Sequence, residues 1–152
     1  QEGLVVLAQR DRQAQDEGQQ RAEAEQAGYD SVWLPDSQLL WRDIWATASL
    51  VATHTTSVRL AVGVTNVETR HPAVIASAIR TIHELTGDRL LVGFGTGGSS
   101  VSPLAIDPTT RAQLRARLSV VQSLLRGDDV DLDGGLCRLR EPTACPTLYV
   151  AA

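Results

Sequence analysis

The stretch VRLAVGVTNVETRHPAVIASAI, residues 58–79, contains one strand pattern followed by one helix pattern. Residues 58–64 form a short, continuous apolar run with β-branched residues, which is typical of a strand buried on both faces. Pro72 then takes the favoured first position of a helix, and Ile75 and Ile79 continue one apolar stripe. This stretch therefore predicts a strand and the helix that follows it, which is the repeating unit of a parallel α/β fold.

Four other apolar runs have the same character as residues 58–64. They are residues 3–8, 31–34, 90–94 and 147–151. Strand starts recur at intervals of about 30 residues, which is the size of a βαβ unit with a right-handed crossover. We therefore expect five parallel strands with helices between them, and an inserted hairpin at residues 130–139 before the last strand.

The helical patterns differ in strength. The second is expected to place five apolar residues on one face, namely Trp41, Ile44, Trp45, Ala48 and Val51. The third is predicted to run from Pro72 to Gly87, and the fourth to begin at a cap formed by Asp107 and Pro108. The first, residues 12–27, has only alanines as apolar residues, so we expect it to form weakly and bury little.

The glycine-rich segment GFGTGG, residues 93–98, follows the fourth strand and has three possible interpretations. It satisfies the spacing G-x-G-x-x-G of dinucleotide-binding loops, but we expect residues 99–103 to continue as an irregular loop, whereas that motif requires a helix. Its glycines can simply allow close packing at the end of a strand. Alternatively, its backbone amides are presented to a flat or phosphorylated cofactor, and this is the interpretation that we favour.

Composition excludes several functions. The 152-residue chain has a net charge of −4 and no cluster of Lys or Arg, which argues against nucleic-acid binding. It has no apolar run long enough for a membrane span and no secretion signal, so we expect a cytoplasmic protein. Cys137 and Cys145 have no neighbouring Cys or His pair, so free thiols and no metal site are predicted.

Both ends of the chain suggest a piece of a larger domain. The chain has no Met, so Gln1 is not a translation start, and residues 148–152 read as a strand that stops without a turn. Unpaired apolar strands at a sheet edge promote association. We therefore expect residues 1–152 to be the N-terminal half of one domain, truncated at the C-terminus and also at the N-terminus.

Periodicity does not distinguish an open parallel sheet from part of a barrel, but four segments taken together resemble a known family. They are AGYDSVWLPD (27–36), VRLAVGVTN (58–66), TRHPA (69–73) and GFGTGG (93–98). In order and spacing they resemble the luciferase-like flavin- or deazaflavin-dependent oxidoreductases, and most closely the branch of methylenetetrahydromethanopterin reductase, which uses coenzyme F420. The resemblance implies an α/β fold, a parallel (β/α)8 TIM-type barrel of which this chain supplies about the first five strands.

The same resemblance implies a site. Asp36 is expected at the end of the second strand facing the deazaflavin ring, a cis peptide bond between Gly63 and Val64 is expected to back the ring, and Thr65 and Asn66 are expected to bond its polar edge. The remaining cofactor-binding residues implied are Gly95, Thr96, Gly97, Ala151 and Ala152. No catalytic acid or base is implied.

Some residues depart from the family pattern or allow a structural interpretation. Ser37 stands where several members have His, and Gly98 stands where a sugar-phosphate dehydrogenase branch has Glu, which disfavours that activity. Asp36 could instead be a turn cap, whereas Arg70 and His71 could be a solvated loop leading into a helix. Trp41 and Trp45 are expected to pack in the core, His54 and His83 to lie at helix surfaces or ends, and Trp33 stays undecided.

The expected activity is hydride transfer between coenzyme F420 and an organic small-molecule substrate, in a protein that forms a homo-oligomer. One alternative is a monooxygenase of the same fold that uses FMN. Another is a half barrel without catalytic activity that associates with itself through its open sheet edges. Substrate identity, reaction direction and oligomeric state stay open.

Overall fold

A computed structural model describes residues 4–5 and 14–151. The strands are β1 Leu4–Val5, β2 Ser31–Leu34, β3 Arg59–Thr65, β4 Leu90–Phe94, β5 Val130–Leu132, β6 Gly135–Cys137 and β7 Thr147–Val150. The helices are α1 Ala14–Gln26, α2 Ile44–His54, α3 Pro72–Thr86, α4 Gly98–Val101 and α5 Arg111–Arg126, with 3₁₀ turns at Gly87–Arg89 and Ser102–Leu104.

Five strands form one parallel sheet in the order β1-β2-β3-β4-β7. This order follows the chain without a reversal, as in a barrel, whereas an open doubly wound sheet reverses its strand order at a switch point. The five predicted parallel strands are confirmed where the structure describes them. Of the first predicted strand, residues 3 and 6–8 lie outside the described residues.

The two faces of the sheet have different environments. The face covered by the helices carries strand residues that are 0% to 1% exposed and join one core cluster, among them Val62, Val92 and Phe94. Side chains alternate along a strand, so the neighbouring residues Trp33, Gly63 and Gly93 lie on the other face. That second face is the inner face of the partial barrel.

The third and fourth predicted helices form, but the fourth begins later than predicted. α3 starts at Pro72 and ends at Gly87, as the sequence predicts. The N-cap of α5 is Thr110 and not Asp107, because the Thr110 side chain accepts from the Gln113 backbone N–H while the Gln113 side chain accepts from that of Thr110. Such a capping box satisfies two free donors reciprocally, which places the helix start there.

The second helix also begins later than predicted. Asp43 caps α2, and its Oδ1 accepts hydrogen bonds of 3.0 Å from the backbone N–H groups of Trp45 and Ala46. Trp41 therefore precedes the helix and is only partly buried, so the prediction that it shares the apolar face of α2 was wrong. Trp45 is buried in the core as predicted.

α1 contributes more to the interior than its sequence predicts, in which alanines are the only apolar residues. It packs on α2, and its Gln20 and Arg21 are 7% and 3% exposed. The Arg21 guanidinium is 2.9 Å from the Glu17 carboxylate one turn earlier, and such pairing makes burial of a charged group tolerable. The expectation that α1 buries little was therefore wrong; residues 12–13 of that prediction lie outside the described residues.

The insertion before β7 is the predicted hairpin. β5 and β6 pair antiparallel around Asp133 and Gly134, which both have positive φ values of 55° and 83°. Positive φ at both central residues is the geometry of the two-residue turn that joins twisted strands. Cys137 lies on this hairpin, and it and Cys145 are both free, as predicted.

Candidate functional site

A cleft of about 210 Å³ lies at the carboxyl ends of β2, β3, β4 and β7. Parallel barrels and open parallel sheets bind their ligands at this end of the strands. We call it the strand-end cleft. Its lining residues are Asp36, Val64, Thr65, Gly95, Thr96, Gly97, Gly98, Ser99, Ser100 and Ala151.

Most of the residues that the sequence nominates meet in this cleft. The nominated residues in its lining are Asp36, Val64, Thr65, Gly95, Thr96, Gly97 and Ala151. Gly63 and Asn66 are adjacent in sequence to the lining residues Val64 and Thr65 but do not line the cleft. Ala152 lies outside the described residues. Contact of any of these residues with a cofactor stays a prediction.

The predicted cis peptide bond, between Gly63 and Val64, directly precedes the part of β3 that forms the floor of the cleft. Val64 is 38% exposed in the cleft. A Cβ added to Gly63 would collide with the Trp33 ring, and one added to Gly95 would lie 2.9 Å from Val64 Cγ2. Both glycines are therefore needed for close packing. The Trp33 ring packs directly against Gly63 on the inner face of the sheet.

Asp36 is the buried acid of the cleft, with a side chain that is 0% exposed. Its Oδ2 accepts a hydrogen bond of 2.6 Å from Thr65 Oγ1 and one of 2.8 Å from Arg70 Nη1. Its Oδ1 is buried and has no hydrogen-bond partner. An unsatisfied buried carboxylate oxygen is costly unless a bound water or ligand donates to it. These contacts cross the sheet, so Asp36 is not acting as a turn cap.

Arg70 connects two carboxylates. Its Nη1 contacts Asp36, and its Nη2 lies 2.9 Å from Asp43 Oδ2, with the Arg70 side chain only 14% exposed. Burial alone would lower the pKa of Arg70, but the charges of Asp36 and Asp43 and their hydrogen bonds outweigh it, so the pKa is raised. The interpretation of Arg70 as part of a solvated loop was therefore wrong.

The pKa of Asp43 moves in the opposite direction. Burial acts to raise this pKa, whereas the Ala46 and Trp45 backbone N–H groups and the Arg70 charge lower it below its ordinary value. Asp43 thus caps α2 with one oxygen and binds Arg70 with the other. A cap residue directly before an apolar helical pattern is a recognisable sequence signal, so this role of Asp43 was predictable.

Hydroxyl groups tie together two loops of the cleft. Ser37 Oγ and Ser99 Oγ are 2.9 Å apart, and Gln38 Nε2 donates to the Ser100 carbonyl oxygen at 2.6 Å. Asn66 Nδ2 donates to Ser100 Oγ, while Asn66 Oδ1 accepts from the backbone of the segment after β3. The amide of Asn66 therefore holds the loops in place. Sequence reasoning missed Ser99 and Ser100, because hydroxyls in a loop carry no distinctive pattern.

The glycine-rich loop is more ordered than predicted. After Gly97, which has a φ of 103°, the chain forms α4 and a 3₁₀ turn where an irregular loop was expected. Ser100 Oγ and Ser102 Oγ donate to the carbonyl oxygens of Gly97 and Gly98, which stabilises these short turns. Glycine tolerates the left-handed conformation that starts this segment.

The histidines have structural positions. His71 caps α3 by accepting from the Ala73 N–H, as its helix lead-in interpretation predicts. His54 ends α2 with Nδ1 2.8 Å from the Leu50 carbonyl oxygen, and His83 in the last turn of α3 bonds to Thr143. Within residues 4–5 and 14–151, no cluster of His, Cys, Asp or Glu could hold a metal ion. No helix in that part of the chain could span a membrane.

A second, larger cleft of about 300 Å³ lies between α1, α2 and the loop after β2. We call it the side cleft. Its lining residues are Glu17, Arg21, Leu34, Pro35, Gln38, Leu39, Leu40, Trp41, Arg42, Ile44 and Thr47. It lies beside the carboxyl end of β2 alone, whereas the strand-end cleft joins the carboxyl ends of four strands, where ligands of this architecture bind, so the strand-end cleft is the better candidate despite its smaller volume.

The strand-end cleft combines an apolar surface, a loop of small residues and one buried acceptor without a donor. Val64 offers an apolar surface, the loop from Gly95 to Gly98 has little side-chain bulk, and a Cβ at Gly98 would meet no atom within 4 Å. Asp36 Oδ1 offers an acceptor that lacks a donor. An apolar floor beside convergent polar groups is the usual form of a cofactor site.

Comparison with known proteins points to one family. The sequence profile of the luciferase-like monooxygenases matches residues 4–152. The 5,10-methylenetetrahydromethanopterin reductase of Methanolobus tindarius is 33% identical over 119 residues, which are 76% of this chain and 36% of that protein. The F420-dependent hydroxymycolic acid dehydrogenase of Mycobacterium tuberculosis is 30% identical over 150 residues, covering 85% of this chain and 41% of that protein.

Solved structures agree on the fold. The coenzyme F420 dependent tetrahydromethanopterin reductase of Methanopyrus kandleri superposes with a TM-score of 0.77 at 21% identity, over 98% of this chain and 49% of that one. The oxygenating constituent of 3,6-diketocamphane monooxygenase of Pseudomonas putida, in complex with FMN, gives 0.69 at 15% identity, over 88% and 41%. The expected partial barrel is confirmed, and the chain spans less than half the length of these proteins.

Proposed function

The chain belongs to the luciferase-like monooxygenase family, and on that premise we propose that it holds the cofactor in an oxidoreductase that transfers hydride between coenzyme F420 and an organic small molecule. Relatives whose names specify coenzyme F420 or methylenetetrahydromethanopterin reduction support the deazaflavin. The substrate itself is not specified by any residue described above. We therefore propose a reaction class and no individual substrate.

The observation that carries this proposal is the unpartnered Oδ1 of the buried Asp36 beside the apolar surface of Val64. Val64 and Gly63 would support one face of the ring, and Asp36 would accept a hydrogen bond from its edge. Thr65 and Asn66 would lie near its polar atoms, with Gly95, Thr96 and Gly97 beside it and Ala151 and Ala152 at the start of a phosphate-binding turn. When bound, the coenzyme would supply the hydride chemistry.

We also propose that residues 1–152 are the N-terminal half of a single barrel domain and are inactive alone. Within the described residues β7 is the last strand of the sheet and pairs only with β4, which leaves one edge of its backbone available to a further strand. A cytoplasmic location and a homo-oligomeric state complete the proposal.

A monooxygenase that uses FMN is the second candidate. The 4-hydroxyprotoasukamycin monooxygenase of Streptomyces nodosus subsp. asukaensis is 33% identical over 112 residues, which are 69% of this chain and 30% of that protein. The fold of the FMN complex described above supports the same alternative. A half barrel that only associates with itself through the exposed part of β7 is the third candidate.

Titration with coenzyme F420 and with FMN, followed by fluorescence, tests these candidates. The purified chain and a version extended by the downstream half of the barrel are compared. We expect only the extended form to bind, and to prefer the deazaflavin. A preference for FMN would replace this proposal with the monooxygenase, and no binding of either by the extended form would favour the non-catalytic half barrel.

A further inference from the structure

Arg70 is the charged group that joins Asp36 to two further elements of the fold. Asp36 follows β2, Arg70 lies between β3 and α3, and Asp43 caps α2, so one guanidinium connects three elements. The guanidinium nitrogens are 2.8 Å and 2.9 Å from the two carboxylates. A planar fork of donors fixes the position of a carboxylate better than a single ammonium group does.

The two oxygens of Asp36 are in opposite situations. Oδ2 has two donors, Thr65 Oγ1 and Arg70 Nη1, whereas Oδ1 has none. A carboxylate oxygen without a donor can accept a hydrogen bond from a ligand. The orientation of the Asp36 carboxylate therefore decides whether Oδ1 can bind a ligand atom in the cleft.

Few other charges act on Asp36 within the described part of the chain. On the segment after β3, Glu68 pairs with Arg117 at 2.7 Å and His71 caps α3. On the segment after β2, Arg42 pairs with Glu17 at 3.2 Å, and Asp43 acts through Arg70. Residues 95–101, after β4, contain no ionisable side chain.

We propose that Arg70 is a positioning residue of the strand-end cleft, which holds Asp36 oriented so that Oδ1 accepts a hydrogen bond from the bound cofactor ring. This inference rests on the proposed function for the identity of the ligand. It does not require Arg70 to touch the cofactor. Without Arg70, the carboxylate keeps one of its two hydrogen bonds and loses the charged partner that fixes its orientation.

The first test needs no ligand. Crystal structures of the extended protein are compared for wild type, Arg70→Gln and Arg70→Lys. We expect the Asp36 carboxylate to leave its place beside Val64 in Arg70→Gln and to keep it in Arg70→Lys. An Asp36 carboxylate that keeps its wild-type place in Arg70→Gln would overturn the proposal, whether or not coenzyme F420 binds.

The second test measures the affinity for coenzyme F420. Relative to wild type, Arg70→Gln should bind about tenfold or more weakly, since one hydrogen bond to a charged group is lost. Asp36→Asn should also bind weakly, and Arg70→Lys, which keeps the charge, should recover an intermediate affinity.

Arg117→Gln is the matched control, because it breaks an ion pair with the same segment without touching Asp36. It should keep the affinity of wild type. A loss in Arg70→Gln equal to that of Arg117→Gln, or an Arg70→Lys variant that binds as weakly as Arg70→Gln, would contradict the positioning role. Thermal unfolding of each variant, with Arg70→Lys as the milder change, separates this result from misfolding. Failure of wild type to bind the coenzyme would instead refute the proposed function.

Discussion

The helix-covered face of the sheet and the strand-end cleft differ in how completely their buried groups are satisfied. Ile79 on α3 and Val62 and Phe94 on the strands are 0% exposed, within a continuous apolar cluster. In the cleft, by contrast, a 0% exposed carboxylate keeps one oxygen without a donor. Tight packing makes the first region stable, whereas the second keeps an unsatisfied group that a ligand can use.

The largest effect is expected from breaking the first region. Ile79→Ala removes a fully buried side chain and should lower the free energy of unfolding by about 2–5 kcal/mol. Leu85→Ala on the same helix, where Leu85 is 46% exposed, should cost less than about 1 kcal/mol. Urea unfolding of the extended protein measures both. Equal losses for the two variants would mean that α3 does not bury the stripe described above.

A smaller effect is expected in the cleft wall. Gly97 has a φ of 103°, and an added Cβ would lie 2.9 Å from Val101 Cγ1. Gly97→Ala should therefore destabilise the protein by about 1–2 kcal/mol, because a side chain is disfavoured in the left-handed conformation. Gly98→Ala has free space for its Cβ and should change the unfolding free energy by less than about 0.5 kcal/mol. The same unfolding assay applies, and a cost for Gly98→Ala matching that of Gly97→Ala would contradict the loop geometry.

The smallest effect concerns a polar contact of α1, a helix that packs on its neighbours partly through polar and charged side chains. Burial acts to raise the pKa of Glu25, but hydrogen bonds from the Val58, Ser57 and Thr56 backbone N–H groups and the Ser57 hydroxyl lower it from 4.5 to about 2. Because the pKa is lowered in the folded protein, this stabilisation is complete above about pH 4.5 and is lost as the pH falls toward 2.

Glu25→Gln should lower the free energy of unfolding by about 1 kcal/mol at pH 7. Buried hydrogen bonds to a charged group contribute more than this, but solvent screens the partly exposed Glu25 carboxylate and reduces their contribution. The difference between wild type and variant should shrink below pH 4.5. Chemical denaturation at several pH values measures it, with Glu23→Gln on the exposed side of α1 as the control. A difference that stays constant down to pH 2 would exclude the role of the Glu25 charge.

Features determined by neighbours in sequence were predicted well. Pro72 and Gly87 bound α3 as expected, and the positions of the parallel strands follow from short apolar runs. Local signals that were overlooked account for the errors at helix starts: Thr110 with Gln113 is a recognisable capping box, and Asp43 is a recognisable N-cap.

Features determined by distant contacts could not be predicted from residue patterns. Asp36 and Arg70 are 34 residues apart, and Ser37 and Ser99 are 62 apart, so their contacts depend on the arrangement of the strands. Apart from the glycine-rich segment, which its position after β4 already indicated, the nominated residues of the cleft came from family resemblance and not from periodicity. Burial of Arg21 on α1 was also missed. It depends on the packing of α1 against α2 and on the ion pair with Glu17, which makes burial of a charged side chain tolerable.

Amide hydrogen exchange of the extended protein, with and without coenzyme F420, tests most directly whether the strand-end cleft is the cofactor site. Ligand contacts and reduced local opening slow exchange at a binding site. We predict slower exchange at Val64, Thr65 and residues 95–100 when the coenzyme is present, with no change along α1. Slower exchange confined to residues 38–42 of the side cleft, with none at residues 95–100, would contradict the account.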